Sequence, residues 1–405
     1  MTTHRLIRLL SGFAVLLLIS SAALAQQPTG TIKRLGLKST VLGEERVVLV
    51  RTPAGYENNK LSYPVLYMTD GDGHMGHTAA TVEFLTQNDR ISDLIIVGVT
   101  NTDRTRDLTP AKSPAKNAAG ELQFPTSGGA DNFLKFFETE LIPQIEKEYR
   151  VQPYRIFAGH SFGGLFAIHA MITKPKLFNS YIAVSPSLQW VDAEALKRAE
   201  TFLGNQKELK LTLFVSLGQE PGPIGDSYEK FIQFLAKTNI KGFEWKAEHM
   251  TDEDHGSVVL RSHYAGLRKV FEGWQPERDP TNGAISGGLQ GIDAHYKKLS
   301  EKFGYSIPTP ENLINQIGYR LLFDARPDEA IAVFKTNVER YPGSANVYDS
   351  LGEAYERGGR MDLAEPLYNK AMVLGEQNKD PNTAIFKTNY ERAHAKVKEA
   401  TTKKQ

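Results

Sequence analysis

The stretch Arg155-Ile156-Phe157-Ala158-Gly159-His160-Ser161-Phe162-Gly163-Gly164-Leu165-Phe166-Ala167 decides how the rest of the chain is read. A short apolar run enters Gly-His-Ser-Phe-Gly, and Leu165, Ile168 and Met171 follow at helical spacing. This spells strand, sharp turn, helix, with the serine at the apex. Gly159 and Gly163 lack Cβ atoms, so strand and helix can close around a strained serine. The start of the helix offers free N–H groups to an oxyanion.

Outward from this turn, residues 32–52 read as two strands around Leu42-Gly43, and 61–68 as a third, rich in β formers. The third runs into Thr69-Asp70-Gly71-Asp72-Gly73-His74, read as a turn-rich loop. The run 94–99 is continuously apolar, as in a strand buried on both faces of a parallel sheet. Further strands are expected at 156–158, 181–184, 211–217 and 243–248. Helical patterns cover 132–149, 193–203, 227–238 and 257–272. The alternation specifies an α/β fold, a mostly parallel sheet with helices on both faces. About thirty residues between 99 and 132 show no periodicity, which marks a functional or mobile loop.

The chain has 405 residues, 40% of them hydrophobic, and a formal net charge of +1. That suffices for one large domain and a smaller one, and carries no basic footprint for nucleic acid. Arg5 and Arg8, the apolar run 13–18 and Ala23-Leu24-Ala25 have the order of a cleaved secretory signal over 1–25. Its apolar core is short for a bilayer span, and no later stretch is long and apolar enough. With no cysteine, an exported chain suits a periplasm or secretion without disulfides.

An α/β domain is expected over 26–276, and a linker with a bridging helix over 277–310. A helical-repeat region follows over 311–400. In it Ile314, Ile317, Gly318, Leu321, Ala330 and Phe334 recur 34 residues on as Tyr348, Leu351, Gly352, Tyr355, Ala364 and Tyr368. This is the tetratricopeptide period, with a last helix over 389–398 as cap. Two such repeats suit bracing of the larger domain, self-association or a protein partner.

A serine hydroxyl needs a base. In G-x-S-x-G hydrolases the order is serine, acid, histidine. Among ten histidines, His255 in Asp252-Glu253-Asp254-His255-Gly256-Ser257 lies in the loop between the last strand and the last helix, where the base belongs. His249 is second. His160 should face away from the apex. The acid should follow the strand at 211–217, which nominates Glu220, with Asp226 as the alternative. A serine–histidine dyad without an acid is the third arrangement. The oxyanion donors are the N–H of Phe162 and that of Asp72 or Gly73. Two polar clusters, Asp70, Asp72, His74, His77 and Asp252, Asp254, His255, lack the helical spacing of a metalloprotease site. Turn chemistry explains them, so no metal or other cofactor is called for.

Taken together these residues resemble the putative-esterase family of α/β-hydrolases, on its siderophore (trilactone) and feruloyl esterase side. The resemblance spans about 32–274. It rests on Val41-Leu42-Gly43-Glu44-Glu45-Arg46, Tyr63-Pro64-Val65-Leu66-Tyr67 with Asp70-Gly71, and Asn101-Thr102-Asp103-Arg104 with Arg106-Asp107-Leu108-Thr109-Pro110. It also rests on the serine motif, Ser185-Pro186-Ser187-Leu188 with Trp190, and His255-Gly256-Ser257-Val258. It implies Ser161 as nucleophile, His255 as base, and Phe162 and Asp72 as oxyanion donors. It marks Arg104 and Arg106 as contacts to an acidic or phenolate-bearing substrate, or else as a surface ion pair. Trp190 lines the acyl pocket or belongs to the core. Gln189 stands where relatives often carry a second aromatic, and the helical tail is an addition many members lack. The expected function is hydrolysis of carboxylic esters, small-molecule or carbohydrate-linked. The competing expectation is an inactive hydrolase fold that binds partners through its helical repeats.

Overall fold

The computed structural model describes residues 30–402. The signal-like segment over 1–25 lies outside them. Eight strands form one sheet: β1 Ile32–Ser39, β2 Glu44–Arg51, β3 Tyr63–Met68, β4 Ile95–Val99, β5 Val151–His160, β6 Ser180–Val184, β7 Glu208–Leu217 and β8 Lys241–His249. Their order across the sheet is β1-β2-β4-β3-β5-β6-β7-β8. β1 and β2 pair antiparallel, as do β2 and β4, and every later pair is parallel. The expected mostly parallel sheet is therefore present. Its two outer strands are charged on their open faces, with Lys33, Arg34 and Lys38 exposed on β1 and Lys241, Glu244 and Lys246 on β8.

Side chains alternate along a strand, so each central strand feeds two cores. Val65, Tyr67, Phe157, Tyr181 and Val215 face one, with α3 Ala130–Phe136, α4 Ile142–Glu148, α5 Phe162–Thr173, α6 Trp190–Gly204 and α7 Pro223–Leu235 packed on them. A single π turn, Phe137–Leu141, joins α3 to α4. Leu66, Ile156, Ile182 and Phe214 face the other core, against α1 Gly71–Gln87 and α8 Val258–Val270.

The second core also takes in the start of the C-terminal region. Ile292, Tyr296, Leu299 and Phe303 of α9 Gly288–Phe303 are buried there. The Phe303 ring lies 4.8 Å from Tyr154 and 5.1 Å from Phe271. Beyond it run α10 Glu311–Phe323, α11 Pro327–Arg340, α12 Ala345–Arg357, α13 Met361–Asn378 and α14 Thr383–Thr402. These helices share a core of Leu322, Phe334, Leu351, Tyr368 and Ala393. A Cβ on Gly318 would meet Phe334 at 2.5 Å, and one on Gly352 would meet Tyr368 at 3.0 Å.

Two local expectations need correction. The segment after β3 is the first turn of α1, entered through Asp70 at φ 56°, and not an open loop. The helix is held by tertiary packing, with Met75, Thr78, Val82 and Leu85 buried at helical spacing. The aperiodic stretch after β4 contains α2 Arg104–Leu108, capped by the Asp103 side chain on the Arg106 N–H.

Candidate active site

The candidate nucleophile stands where β5 passes into α5. Ser161 has φ 60° and ψ −114°, a strained conformation for a residue with a Cβ. The turn closes because its neighbours lack side chains. A Cβ on Gly159 would fall 2.2 Å from Gly163 O, and one on Gly163 would fall 2.3 Å from Thr69 Oγ1. The end of β3 thus lies directly against the start of α5. Gly159→Ala is expected to cost about 3 kcal/mol, the upper end for overpacking, because backbone must move. Thermal unfolding would show it as a fall of about 10 °C, and an unchanged melting temperature would contradict this packing.

His255 and Glu220 are brought together. His255 Nδ1 lies 2.5 Å from Glu220 Oε2. The other oxygen, Oε1, accepts from Ser185 Oγ at 2.5 Å and from the Gly218 N–H at 3.1 Å. Burial alone would raise the Glu220 pKa. The hydrogen bonds from His255 and Ser185, the His255 charge and the Gly218 N–H outweigh it and hold the group below its ordinary value. Asp226 lies instead in the first turn of α7, its N–H on Gly222 O at 2.8 Å. His249 ends β8 with Nε2 3.1 Å from Gly218 O.

Ser161 Oγ lies 3.4 Å from Ser187 Oγ. Among the described residues no hydrogen bond joins it to His255. The two residues nonetheless share one end of the sheet, since the His255 ring packs at a tilt against His160, the residue before Ser161, at 4.6 Å. The His160 ring, expected to face away from the apex, lies between those of His255 and His74. Sequence reasoning also gave Ser185 and Ser187 no task. Both follow β6 in Ser-Pro-Ser, and Ser185 holds a positive φ of 40°, so position after a central strand was the available signal.

Phe162 opens α5 and Asp72 is the second residue of α1. The Gly73 N–H is committed to Asp70 O at 3.0 Å, which leaves Asp72 of the two oxyanion candidates in the α1 turn. Asp70 accepts from Asn101 Nδ2 at 2.7 Å, from Arg104 Nε at 2.6 Å and from Arg104 Nη2 at 3.1 Å. Arg104 Nη2 also donates to His160 O at 2.9 Å, and its guanidinium lies 5.6 Å from the Phe162 ring centre. Arg104 therefore ties the ends of β3, β4 and β5 together.

Arg106 lies in a different cluster. Its Nε donates to Asp107 at 2.7 Å, and Nη1 and Nη2 to Glu44 at 3.0 and 2.6 Å. Buried Arg46 completes that network through Asp107 at 2.6 Å. Trp190 is buried, stacks edge-on to Phe162 at 4.9 Å and to Phe124 at 5.1 Å, and donates to Ala111 O at 2.9 Å. It thereby fastens the long segment after α2 beside the serine.

Behind His255 and His160 the rings of His74, His77 and His263 follow in series. His74 lies 5.7 Å from His160, and His263 lies 5.7 Å from His77. Burial lowers the pKa values of His74, His77, His160 and His263, that of His160 to about 4. Unfolded, each would take up a proton near pH 6.5. Between 6.5 and 4 the unfolded chain therefore binds more protons, and stability falls as pH falls through that window. Melting temperatures at pH 7 and 4.5 should differ accordingly, and a flat profile would contradict the buried array.

A hydroxyl on a strained turn, amides at two helix starts and an imidazole paired with a carboxylate are the groups that acyl transfer requires. Comparison with known proteins agrees. The family model described as "Putative esterase" matches residues 39–258. Ferri-bacillibactin esterase BesA of Bacillus subtilis is 29% identical over 217 residues, 49% of this chain and 75% of that one. The siderophore triacetylfusarinine C esterase of Aspergillus fumigatus is 28% identical over 269 residues, 57% of this chain and 90% of that one. An IroE-like serine hydrolase from Shewanella oneidensis superposes with a TM-score of 0.66 at 29% identity, covering 77% of this chain and all of that one. The chain belongs to this esterase family and is a carboxylic ester hydrolase.

Proposed function

We propose that the protein hydrolyses the ester bonds of a siderophore through Ser161, His255 and Glu220. The observation that carries the mechanism is the 2.5 Å contact between His255 Nδ1 and Glu220 beside the strained serine. Glu220 holds the proton on Nδ1, leaving Nε2 as the base. The mechanism requires Ser161 Oγ to close on Nε2, a hydrogen bond that is often long or absent in free enzymes. Oγ then adds to the ester carbonyl as its proton passes to Nε2, and the Phe162 and Asp72 amides take the oxyanion. The tetrahedral adduct expels the alcohol, which receives that proton. Water, deprotonated by His255, adds to the acyl-enzyme and releases the acid and Ser161.

The siderophore assignment is supported by the named activities of the relatives above and by Arg104. Its Nη1 is not used in the knot on Asp70, so it is available to a phenolate or carboxylate. Arg106, with all three nitrogens engaged, is read as support for the loop. Export is supported by the signal-like pattern over 1–25. No described helix is long and apolar enough to cross a membrane. The α10–α14 helices are read as tetratricopeptide-like, serving as a brace or a contact for a partner or second copy.

The test is a panel of esters scored by kcat/KM: enterobactin, methyl ferulate, an acetylated xylan and p-nitrophenyl acetate. A trilactone preference of at least about 100-fold, some 3 kcal/mol, is expected. A ferulate or acetyl preference would move the assignment to polysaccharide esters. Failure of a fluorophosphonate to label Ser161 in folded protein would remove the serine mechanism altogether.

A further inference from the structure

At the end of the sheet away from Ser161, the hydrolase fold and the C-terminal region enclose a cavity of about 530 Å³. Gln152 reaches it from the start of β5, whose other end carries His160. At about 3.3 Å per residue Gln152 lies about 30 Å along the strand from the nucleophile, too far for the cavity to be its acyl pocket. The volume falls in the range of small-molecule sites.

The wall is aromatic. Tyr63, Trp274, Tyr296 and Tyr305 line it, contributed by β3, the chain after α8, α9 and the turn beyond α9. Two carboxylates, Asp89 and Asp93, line the same cavity. Asp93 is partly buried, and among the described residues no hydrogen bond or ion pair satisfies it. Burial raises its pKa against the pull of Arg51. Arg51 itself is paired with Glu83 at 3.1 Å. Thr86 Oγ1 is likewise buried without a partner. Arg278 also reaches the wall, but Nη1 is held by Gly283 O and Nη2 by Gln316 Oε1, both at 3.0 Å.

An unpaired carboxylate in a cavity lined by four aromatic side chains is complementary to an organic cation. The carboxylate supplies the counter-charge, the rings supply cation–π attraction, and the orphan hydroxyl accepts an N–H. We propose that this cavity binds a small organic amine with an apolar or aromatic body, held by Asp93 and the surrounding rings. Because both the hydrolase fold and the C-terminal region form the wall, such a ligand fastens one to the other.

Calorimetric titration of the whole protein with 4-phenylbutylamine, 4-phenylbutan-1-ol and 4-phenylbutanoate tests this, since the three share a body and differ in charge. The amine should bind at least about tenfold more tightly than the alcohol, and the anion least. Asp93→Asn should reduce the amine to the affinity of the alcohol while p-nitrophenyl acetate turnover stays unchanged. Equal affinities for amine and alcohol, no saturable binding of the amine up to about 10 mM, or full amine affinity in Asp93→Asn would each overturn the proposal. If Asp93→Asn does not fold, the charge ranking on the unaltered protein decides alone. Turnover is read separately, so failure here leaves the esterase mechanism standing, and failure of that mechanism leaves this site standing.

Discussion

Replacing Ser161 with alanine is expected to lower kcat/KM on p-nitrophenyl acetate by about 10⁴-fold or more, with the fold intact. Alanine removes only Oγ, whose neighbour in the structure is Ser187 Oγ at 3.4 Å, a contact too long to hold the turn. The positive φ is imposed by the packing of Gly159 on Gly163, which the substitution leaves in place. Circular dichroism and melting temperature should therefore be close to those of the parent protein. The turnover that remains would come from the Phe162 and Asp72 amides acting on water. Hydrolysis at the parental rate would mean that the nucleophile lies elsewhere.

Glu220→Gln is expected to cost about 10³–10⁴ in kcat, and Asp226→Asn less than about twofold. The carboxylate accepts three hydrogen bonds, from His255, Ser185 and Gly218. A glutamine can accept those from Ser185 and Gly218 through its carbonyl oxygen. Its NH₂ would then meet His255 Nδ1 as a donor and force the proton onto Nε2, where the base has to be free. The effect should fall mainly on kcat, with KM little changed. Retention of activity in Glu220→Gln would leave Ser161 and His255 as a dyad. Collapse in Asp226→Asn instead would require α7 to unwind at its first turn.

The serine turn was legible because its information is local: an apolar strand, two glycines and a helical stripe all lie within 156–171. The central strands were legible as uninterrupted apolar runs, and Glu220, which the structure sets against His255, is the first acid after β7. Asp226 could have been placed as well, since Pro223 marks the start of α7. What escaped was tertiary. Helix α1 reads as a turn because Gly71, Gly73 and Gly76 are poor helix formers, yet Gly71 sits against the Gly98 backbone, where a Cβ would be 2.5 Å from the carbonyl carbon. Nothing near Ser185 or His160 in the sequence announces their contacts with Glu220 and His255, which come from segments 35 and 95 residues away. The cavity between the two parts of the chain depends on how α9 docks, which no periodicity reports.

The charges on the sheet margins carry a consequence for colloidal behaviour. An open strand is a template for another chain, and among the described residues the sheet ends in two, β1 and β8. On β1 the exposed charged side chains Lys33, Arg34 and Lys38 are all cationic, with Lys33 paired to Glu57, so a second β1 laid alongside would meet its own sign at Arg34 and Lys38. On β8 lysine and glutamate interleave, so mixed charges could mate there in a suitable antiparallel offset. Salt would screen both margins within about 10 Å at 0.1 M, relieving repulsion on the first and weakening mating on the second. Any concentration-dependent clumping should therefore begin at the β1 side in high salt and at the β8 side in low salt.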